Sequence, residues 1–349
     1  MGAELGFYQN KRVLITGHTG FKGAWLSELL LSAGAEVTGY ALPAEEDGLF
    51  DRLGLEGRMH SVEGDVRDLD RLRRVFRDSR PQVVFHLAAQ PLVRASYRDP
   101  VGTYSTNVMG AVHLLECVRG CSSVASVVHV TTDKVYQAPA QGCREEDPLD
   151  GADPYSNSKS CAELVTGAYV RSFLGERGVA VSTARAGNVI GGGDMAEDRI
   201  LPDCVRAVLR GEDVPVRNPR SVRPYQHVLE ALSAYLLIGQ AQWGDPGLAG
   251  AYNVGPAPGD CLTTGALAEL FCRCWGEGAR WTVSPDGGPA EADHLRLDCG
   301  RIAARLGWTP RWDAGAAVER TVSWTKAVLS GQDAAAVTRG QIQDYFCGK

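Results

Sequence analysis

Through the first half of the chain, short runs of almost unbroken apolar residues alternate with longer stretches of helical spacing. That alternation leaves few folds open. RVLITG (12–17) reads as a buried strand, and Phe21 to Ala33 follows with Trp25, Leu26, Leu29 and Leu30 on one stripe. EVTGYAL (36–42) is a second strand, and MHSVEGD a third that ends at Asp65 before a helix over Leu69 to Phe76. QVVFHLAA (82–89), a long helix over Val101 to Val118, and SVVHVTT (126–132) continue the series. Strands without polar alternation are covered on both faces, which is the condition of a parallel sheet. Repeated strand–helix units then give an α/β fold, a Rossmann-type doubly wound parallel sheet.

After a helix starting near Tyr155 and a strand at VSTARAG (181–187), the pattern changes. Residues 191–224 are rich in Gly, Pro and charge, with a short helix near Leu201–Arg210. This predicts a smaller C-terminal α/β substrate domain. The expected division is a dinucleotide-binding domain over 1–187, to which 226–256 returns, and a second domain from 188–225 and 257–349. Val228 to Gln240 reads as a helix and AYNVG (251–255) as a strand.

Between the first strand and the first helix stands Gly17-His-Thr19-Gly20-Phe21-Lys-Gly23. Glycines there allow a tight turn and let backbone N–H groups approach a diphosphate at the helix N-terminus. The spacing is GxxGxxG, a weak signal alone, and its place after the first strand is what gives it weight. The second strand ends without the Asp or Glu that would hold ribose hydroxyls, and without an Arg for a 2′-phosphate. NAD is therefore the expected cofactor. Asp65 is a candidate for the adenine amino group or, equally, a helix cap. The expected dinucleotide set also includes Val66, Leu87, Ala88, Ala89 and Asn107.

Tyr155-Ser-Asn-Ser-Lys159 carries the chemistry. Four residues apart on a helix, Tyr155 and Lys159 share a face. An ammonium lowers a phenol's pKa, and the phenolate takes a proton while hydride leaves the same carbon. The preceding strand ends in Thr131-Thr132-Asp133-Lys134. Thr132 is placed to hydrogen-bond a sugar hydroxyl and Asp133 to protonate a leaving one. Gln90 is expected to face substrate. Asn188, Arg199, Arg217, Arg223 and His227 are the candidate nucleotide and diphosphate ligands, since guanidinium forks suit phosphate oxygens.

Composition narrows the classes. The net charge of −6 speaks against long nucleic acid as a partner. No stretch of about 18 apolar residues exists to span a bilayer, and the start lacks an apolar signal core, so a cytoplasmic protein is expected. Of the 10 cysteines none forms CxxC, and Cys272 and Cys274 have no histidine at ligand spacing, so no metal is expected.

The segments TGHTGFKGAWLS, FHLAAQPLVRASY, TTDKVY, DPYSNSKSCAELV, RAGNVIGGGD and NPRSVRPYQHVLEAL resemble the extended short-chain dehydrogenases that modify sugar nucleotides. More narrowly they are similar to the CDP-glucose 4,6-dehydratases, in which the Asp-Lys pair replaces the Asp-Glu of other hexose-nucleotide dehydratases. The resemblance implies a CDP-glucose substrate and internal hydride transfer through NAD. It also implies catalytic roles for Thr132, Asp133, Lys134, Tyr155 and Lys159. Lys134 complicates an acid at Asp133, because an ammonium favours the carboxylate; a neutral Lys134 would instead be a base toward carbon 5. The segment between Tyr136 and Pro154 is shorter and less aromatic than in the family. Alternatives are an epimerase or dehydratase for another nucleotide sugar, and a non-catalytic NAD sensor. The helices at 101–118 and from Tyr155 imply a homodimer or homotetramer.

Overall fold

The computed structural model describes residues 3–137, 142–284 and 295–348. Its centre is a seven-stranded sheet of β1 (Arg12–Thr16), β2 (Glu36–Ala41), β3 (His60–Glu63), β4 (Val83–His86), β5 (Ser126–Val130), β6 (Ala180–Ala186) and β7 (Ala251–Val254). The order is β3-β2-β1-β4-β5-β6-β7, and every pairing is parallel. Thr16 lies in register with Tyr40 on one side and His86 on the other. The chain reverses direction across the sheet between β1 and β4. Such a switch point opens a crevice at the carboxyl ends of the strands, where ligands bind.

Side chains alternate between the two faces, as strand geometry requires. Val13, Ile15, Phe85 and Val128 enter a cluster with α1 (Phe21–Ser32), a second helix over Val228–Gly244 and a third over Ala334–Cys347. Leu14, Val84 and Val127 point the other way, against helices Leu69–Ser79 and Gly110–Gly120. Both faces are closed, so the strands had to be apolar throughout. β5 and β6 are buried at every position. The helix after β3 is capped by Asp68, whose carboxylate accepts from the Arg71 amide, and not by Asp65.

The expected stripe on α1 is wider in the structure. Gly23 to Leu30 is buried all round, including Glu28, whose carboxylate is held by Arg58 and Arg339. The long helix over 101–118 is also interrupted. Pro100–Tyr104 and Gly110–Gly120 are joined by a π-helical turn, Ser105–Met109. Asn107 is the buried residue of that turn.

Beyond β6, Ile190, Leu201, Val214, Leu267, Phe271 and Val318 form a separate apolar cluster. It unites helices Ile200–Leu209, Thr264–Trp275 and Ala314–Leu329. Trp25 on α1 donates to the Gly192 carbonyl at 2.9 Å, tying this part to the sheet. The short pairing of Val189–Ile190 with Gln226–His227 does the same. Among the described residues, no helix is long and apolar enough to cross a membrane.

Candidate active site

At the carboxyl ends of the neighbouring strands β1, β4, β5 and β6, four connections meet. A cavity of about 520 Å³ opens there, between the sheet and the 191–224 segment. Tyr155, Thr132 and Lys134 line it together with Asn188, Arg199 and Arg223.

Tyr155 and Lys159 sit on the first turns of a helix, Pro154–Tyr169, hereafter α2. Its start is fixed by Asp153, which accepts from the Ser156 amide at 3.0 Å, and by Pro154 in the first turn. Gly151 packs so closely on this turn that a Cβ would come within 2.3 Å of the Ser156 carbonyl carbon. Burial pushes the Tyr155 phenol up; the Lys134 ammonium and a hydrogen bond with Thr132 oppose that, while Asp133 adds to it. Lys159 is buried and donates to the Val130 carbonyl at 3.2 Å. The cation acting most on the phenol is thus Lys134, whereas the sequence pointed to Lys159. Desolvation pulls Lys159 down to about 8, with Glu163 opposing.

Thr132 donates to Asp133 Oδ1 at 3.0 Å, and Lys134 Nζ lies 3.4 Å from the same oxygen. Asp133 is 1% exposed, and its Oδ2 is buried with no partner among the described residues. An unmet buried acceptor is costly, so it marks a place where function outranks stability. The loop carrying these residues is pinned by a polar network beneath it. Thr131 donates to Glu163 Oε1 at 2.5 Å, Arg185 grips Glu163, and Arg185 Nη1 donates to the Tyr136 hydroxyl at 2.8 Å. Tyr136 in turn donates to Asn253 on β7 at 2.6 Å.

The glycine loop has the shape a diphosphate needs. Gly17 takes φ +78, and a Cβ there would meet the Ala88 amide at 2.8 Å; one on Gly23 would strike the Gly17 carbonyl at 2.0 Å. The α1 N-cap, Gly20, offers no side-chain acceptor, and the first turn holds no acidic residue. Amides of a first turn have no partner within the helix, so this end fits an anion. Thr19 donates to the Leu42 carbonyl, and Phe21 lines the cavity. Where an acidic residue would end β2, His18 lies against Gly39 and pairs with Ser61 at 2.7 Å. Asp65 is held through both oxygens by Arg67, which uses part of the carboxylate's capacity toward an adenine. Val66 and Leu87 are packed into the two cores and Ala88 and Ala89 lie partly buried at the end of β4.

Three sequence expectations need correction. Gln90 does not face substrate: its amide donates to Leu92 O and Thr103 and accepts from the Leu92 amide, closing its own turn. Asn107 does not reach out to a cofactor. It accepts from Gln90 N at 2.8 Å and donates to Gln90 O and Ser158, clamping β4 to α2. His227 is fully buried between Trp25 and Trp312, and its Nδ1 accepts from the Leu229 amide as a helix cap. Burial pulls it down to about 3, so it is neutral and no phosphate ligand.

The remaining candidates stay at the cavity. Asn188 lines it with Oδ1 unpartnered among the described residues. Arg199 pairs with Asp194 at 2.8 Å, and Arg217 with Asp198 at 2.7 Å and Asp203 at 3.2 Å. Arg223 is 4% exposed and its Nη1 donates to Val222 O. Sequence reasoning passed over Lys22, Arg94 and the acidic partners Asp194 and Asp198, all at the cavity. Lys22 stood inside the glycine motif but read as a spacer. Part of the short segment after Tyr136, residues 138–141, lies outside the described residues.

A parallel sheet of this order, with a glycine loop at its switch point and a Tyr–Lys helix beside it, defines a dinucleotide-dependent short-chain dehydrogenase. Residues 14–252 match the family model described as GDP-mannose 4,6 dehydratase. The chain is 45% identical to the CDP-glucose 4,6-dehydratase of Salmonella typhimurium, covering 97% of each. It is 30% identical to dTDP-glucose 4,6-dehydratase of Streptomyces antibioticus over 89% of this chain and 91% of that one. A solved UDP-glucose 4-epimerase of Thermus thermophilus in complex with NAD shares 28% identity and superposes with a TM-score of 0.78, covering 89% of this chain and 97% of that one. The chain belongs to the GDP-mannose 4,6-dehydratase family, within the NAD-dependent epimerases and dehydratases.

Proposed function

We propose that the chain dehydrates CDP-glucose to CDP-4-keto-6-deoxyglucose, with NAD as a recycled cofactor. The carrying observation is one cavity lined by Tyr155, Thr132 and Lys134 together with Arg199, Arg217 and Arg223, in a chain 45% identical to a CDP-glucose 4,6-dehydratase. The glycine loop and the acid-free start of α1 would hold the NAD diphosphate, and Lys159 its nicotinamide ribose.

When bound, NAD supplies the acceptor for hydride from sugar carbon 4 and its later donor to carbon 6. Tyr155 removes the proton of the carbon-4 hydroxyl, which Thr132 orients. Lys134 stabilises the phenolate that takes this proton. The ketone makes the carbon-5 proton acidic. The Asp133 carboxylate, whose Oδ2 has no partner among the described residues, takes that proton and passes it to the carbon-6 hydroxyl, which leaves as water. Hydride then reaches carbon 6, and the proton held by Tyr155 returns to carbon 5. Asn188, Arg199, Arg217 and Arg223 take the nucleotide diphosphate. Arg217 exchanges carboxylate partners for phosphate oxygens, so little of its charge is exposed before substrate arrives.

The assembly we propose is a homodimer or homotetramer. Val101 and Leu164, on adjacent helices, are 78% and 60% exposed, and Met109 is 44% exposed. Large apolar side chains on one face favour a covered surface. We assign the protein to the cytoplasm, consistent with ten free cysteines.

The test is incubation with NAD and, separately, CDP-, UDP-, dTDP- and GDP-linked hexoses, with products weighed by mass spectrometry. Loss of one water from the CDP sugar first among them supports the reading. Unchanged mass with altered chromatography marks an epimerase, and NAD binding without turnover a sensor.

A further inference from the structure

Lys22 is the second residue of α1, directly behind the phosphate-binding glycines. Its side chain is partly buried and lines the catalytic cavity together with Phe21, Tyr155 and Arg199. The charged groups bearing on it are Arg199 and Lys159, which are cations, and Asp133 and Asp194, which are anions. The anions have other cations. Asp194 is paired with Arg199 at 2.8 Å, and Asp133 lies 3.4 Å from Lys134. Lys159 points its ammonium to the Val130 carbonyl. Lys22 is thus left among unlike neighbours already matched to one another. Burial and the two cations pull it down to about 7. A cation held in this way at the start of a helix is incomplete without an anion.

Two features say which anion. Lys22 stands in the first turn of α1, within the glycine motif that shapes the candidate dinucleotide loop. The end of β2, in addition, lacks the carboxylate that would grip the ribose and carries His18 against Gly39 instead. Affinity for the dinucleotide must then come from elsewhere in its site.

We propose that Lys22 is a cofactor-affinity residue that pairs with the diphosphate of NAD and makes NAD binding depend on proton uptake by its own side chain. This rests on the NAD-dependent reading above. The sign follows from linkage. Pairing with phosphate raises the lysine's pKa in the complex, so affinity is full below the free-state pKa and falls as pH rises from there toward the bound-state value. The groups facing Lys22 from other elements are Lys159 and Tyr155 on α2, Asp133 and Lys134 after β5, and Asp194 and Arg199.

The experiment measures NAD affinity by calorimetry at pH 6.0, 7.5 and 9.0 and constant ionic strength, for the intact chain, Lys22→Met and Lys22→Arg. CDP is titrated in parallel. The unaltered chain should lose affinity from pH 6.0 to 9.0. Lys22→Met should bind NAD about tenfold or more weakly at pH 6.0 and show little pH dependence, as expected for loss of a charge-assisted bond. Lys22→Arg should bind at pH 6.0 like the unaltered chain and keep that affinity at pH 9.0. CDP affinity should stay within about twofold throughout. Unchanged NAD affinity in Lys22→Met overturns the proposal, as does a loss of CDP rather than NAD affinity. A flat pH profile in the unaltered chain also overturns it, and that outcome needs no variant to fold. Absence of NAD binding by the unaltered chain would instead sink the functional reading itself.

Discussion

Tyr155 is held between opposing influences. Burial favours the neutral phenol, while Lys134 and Thr132 favour its ionised form. Removing the phenol should therefore remove the reaction and leave the scaffold. Tyr155→Phe is expected to lower kcat by about 10³-fold, within the range for a positioned proton acceptor, with NAD affinity unchanged by titration. Lys134→Met should raise the phenol's pKa, because it deletes the strongest opposing charge. The acid limb of the kcat profile then moves to higher pH; a profile that stays in place would exclude Lys134 from this role. Beneath them, Glu163 is 6% exposed and bonded to Arg185, Thr131 and Thr183. Glu163→Ala strands a buried guanidinium and should cost about 3–5 kcal/mol in urea unfolding. Residue type told much of this in advance. The places of Tyr155, Thr132 and Lys134 at one cavity were legible because helix spacing and a strand end fix where they face, whereas Lys159 turns its ammonium to the Val130 carbonyl. Gln90, Asn107 and His227 were not. Each is polar and near the site in sequence, yet Gln90 bonds to Leu92 and Thr103, Asn107 to Gln90 and Ser158, and His227 to the Leu229 amide, pairings that no spacing rule reveals.

At the scale of elements, the strands were readable because a parallel sheet closed on both faces demands uninterrupted apolar runs. The starts of α1 and α2, expected at Phe21 and near Tyr155, lie at Phe21 and Pro154, the second fixed by the Asp153 cap and Pro154 in the first turn. The π turn at Ser105–Met109 was not readable from helical spacing; it carries Asn107, which bonds to Gln90 and Ser158 across the fold. The glycine loop makes the sharpest prediction here. A Cβ on Gly23 would lie 2.0 Å from the Gly17 carbonyl. Gly23→Ala must deform the loop, with a stability loss of about 1–3 kcal/mol typical of overpacking and a loss of NAD binding out of proportion to it. Both are accessible from thermal melts with and without NAD. Protection of the variant equal to that of the parent would mean the loop is not the diphosphate site.

In the proposed reading one cavity serves two chemistries: hydride and proton transfer at the carboxyl ends of the central strands, and anion recognition by residues of and around the 191–224 segment. Composition could not show this, because the net charge is −6 while the cavity carries several cations whose carboxylate partners sit beside them. The exposed apolar positions Val101 and Leu164 belong to this scale as well. Light scattering should report a dimer or tetramer, and the pair Val101→Asp with Leu164→Asp should shift it toward monomer. A monomer before substitution would refute the assembly. The central claim is that hydride leaves carbon 4 and comes back to carbon 6 of the same sugar. CDP-glucose bearing deuterium at carbon 4, turned over with NAD and read by mass spectrometry and NMR, tests it directly. The account predicts a product lighter by one water with deuterium on carbon 6 and no accumulation of NADH. Deuterium lost to solvent, left in free NADH, or returned to carbon 4 without loss of water would contradict it.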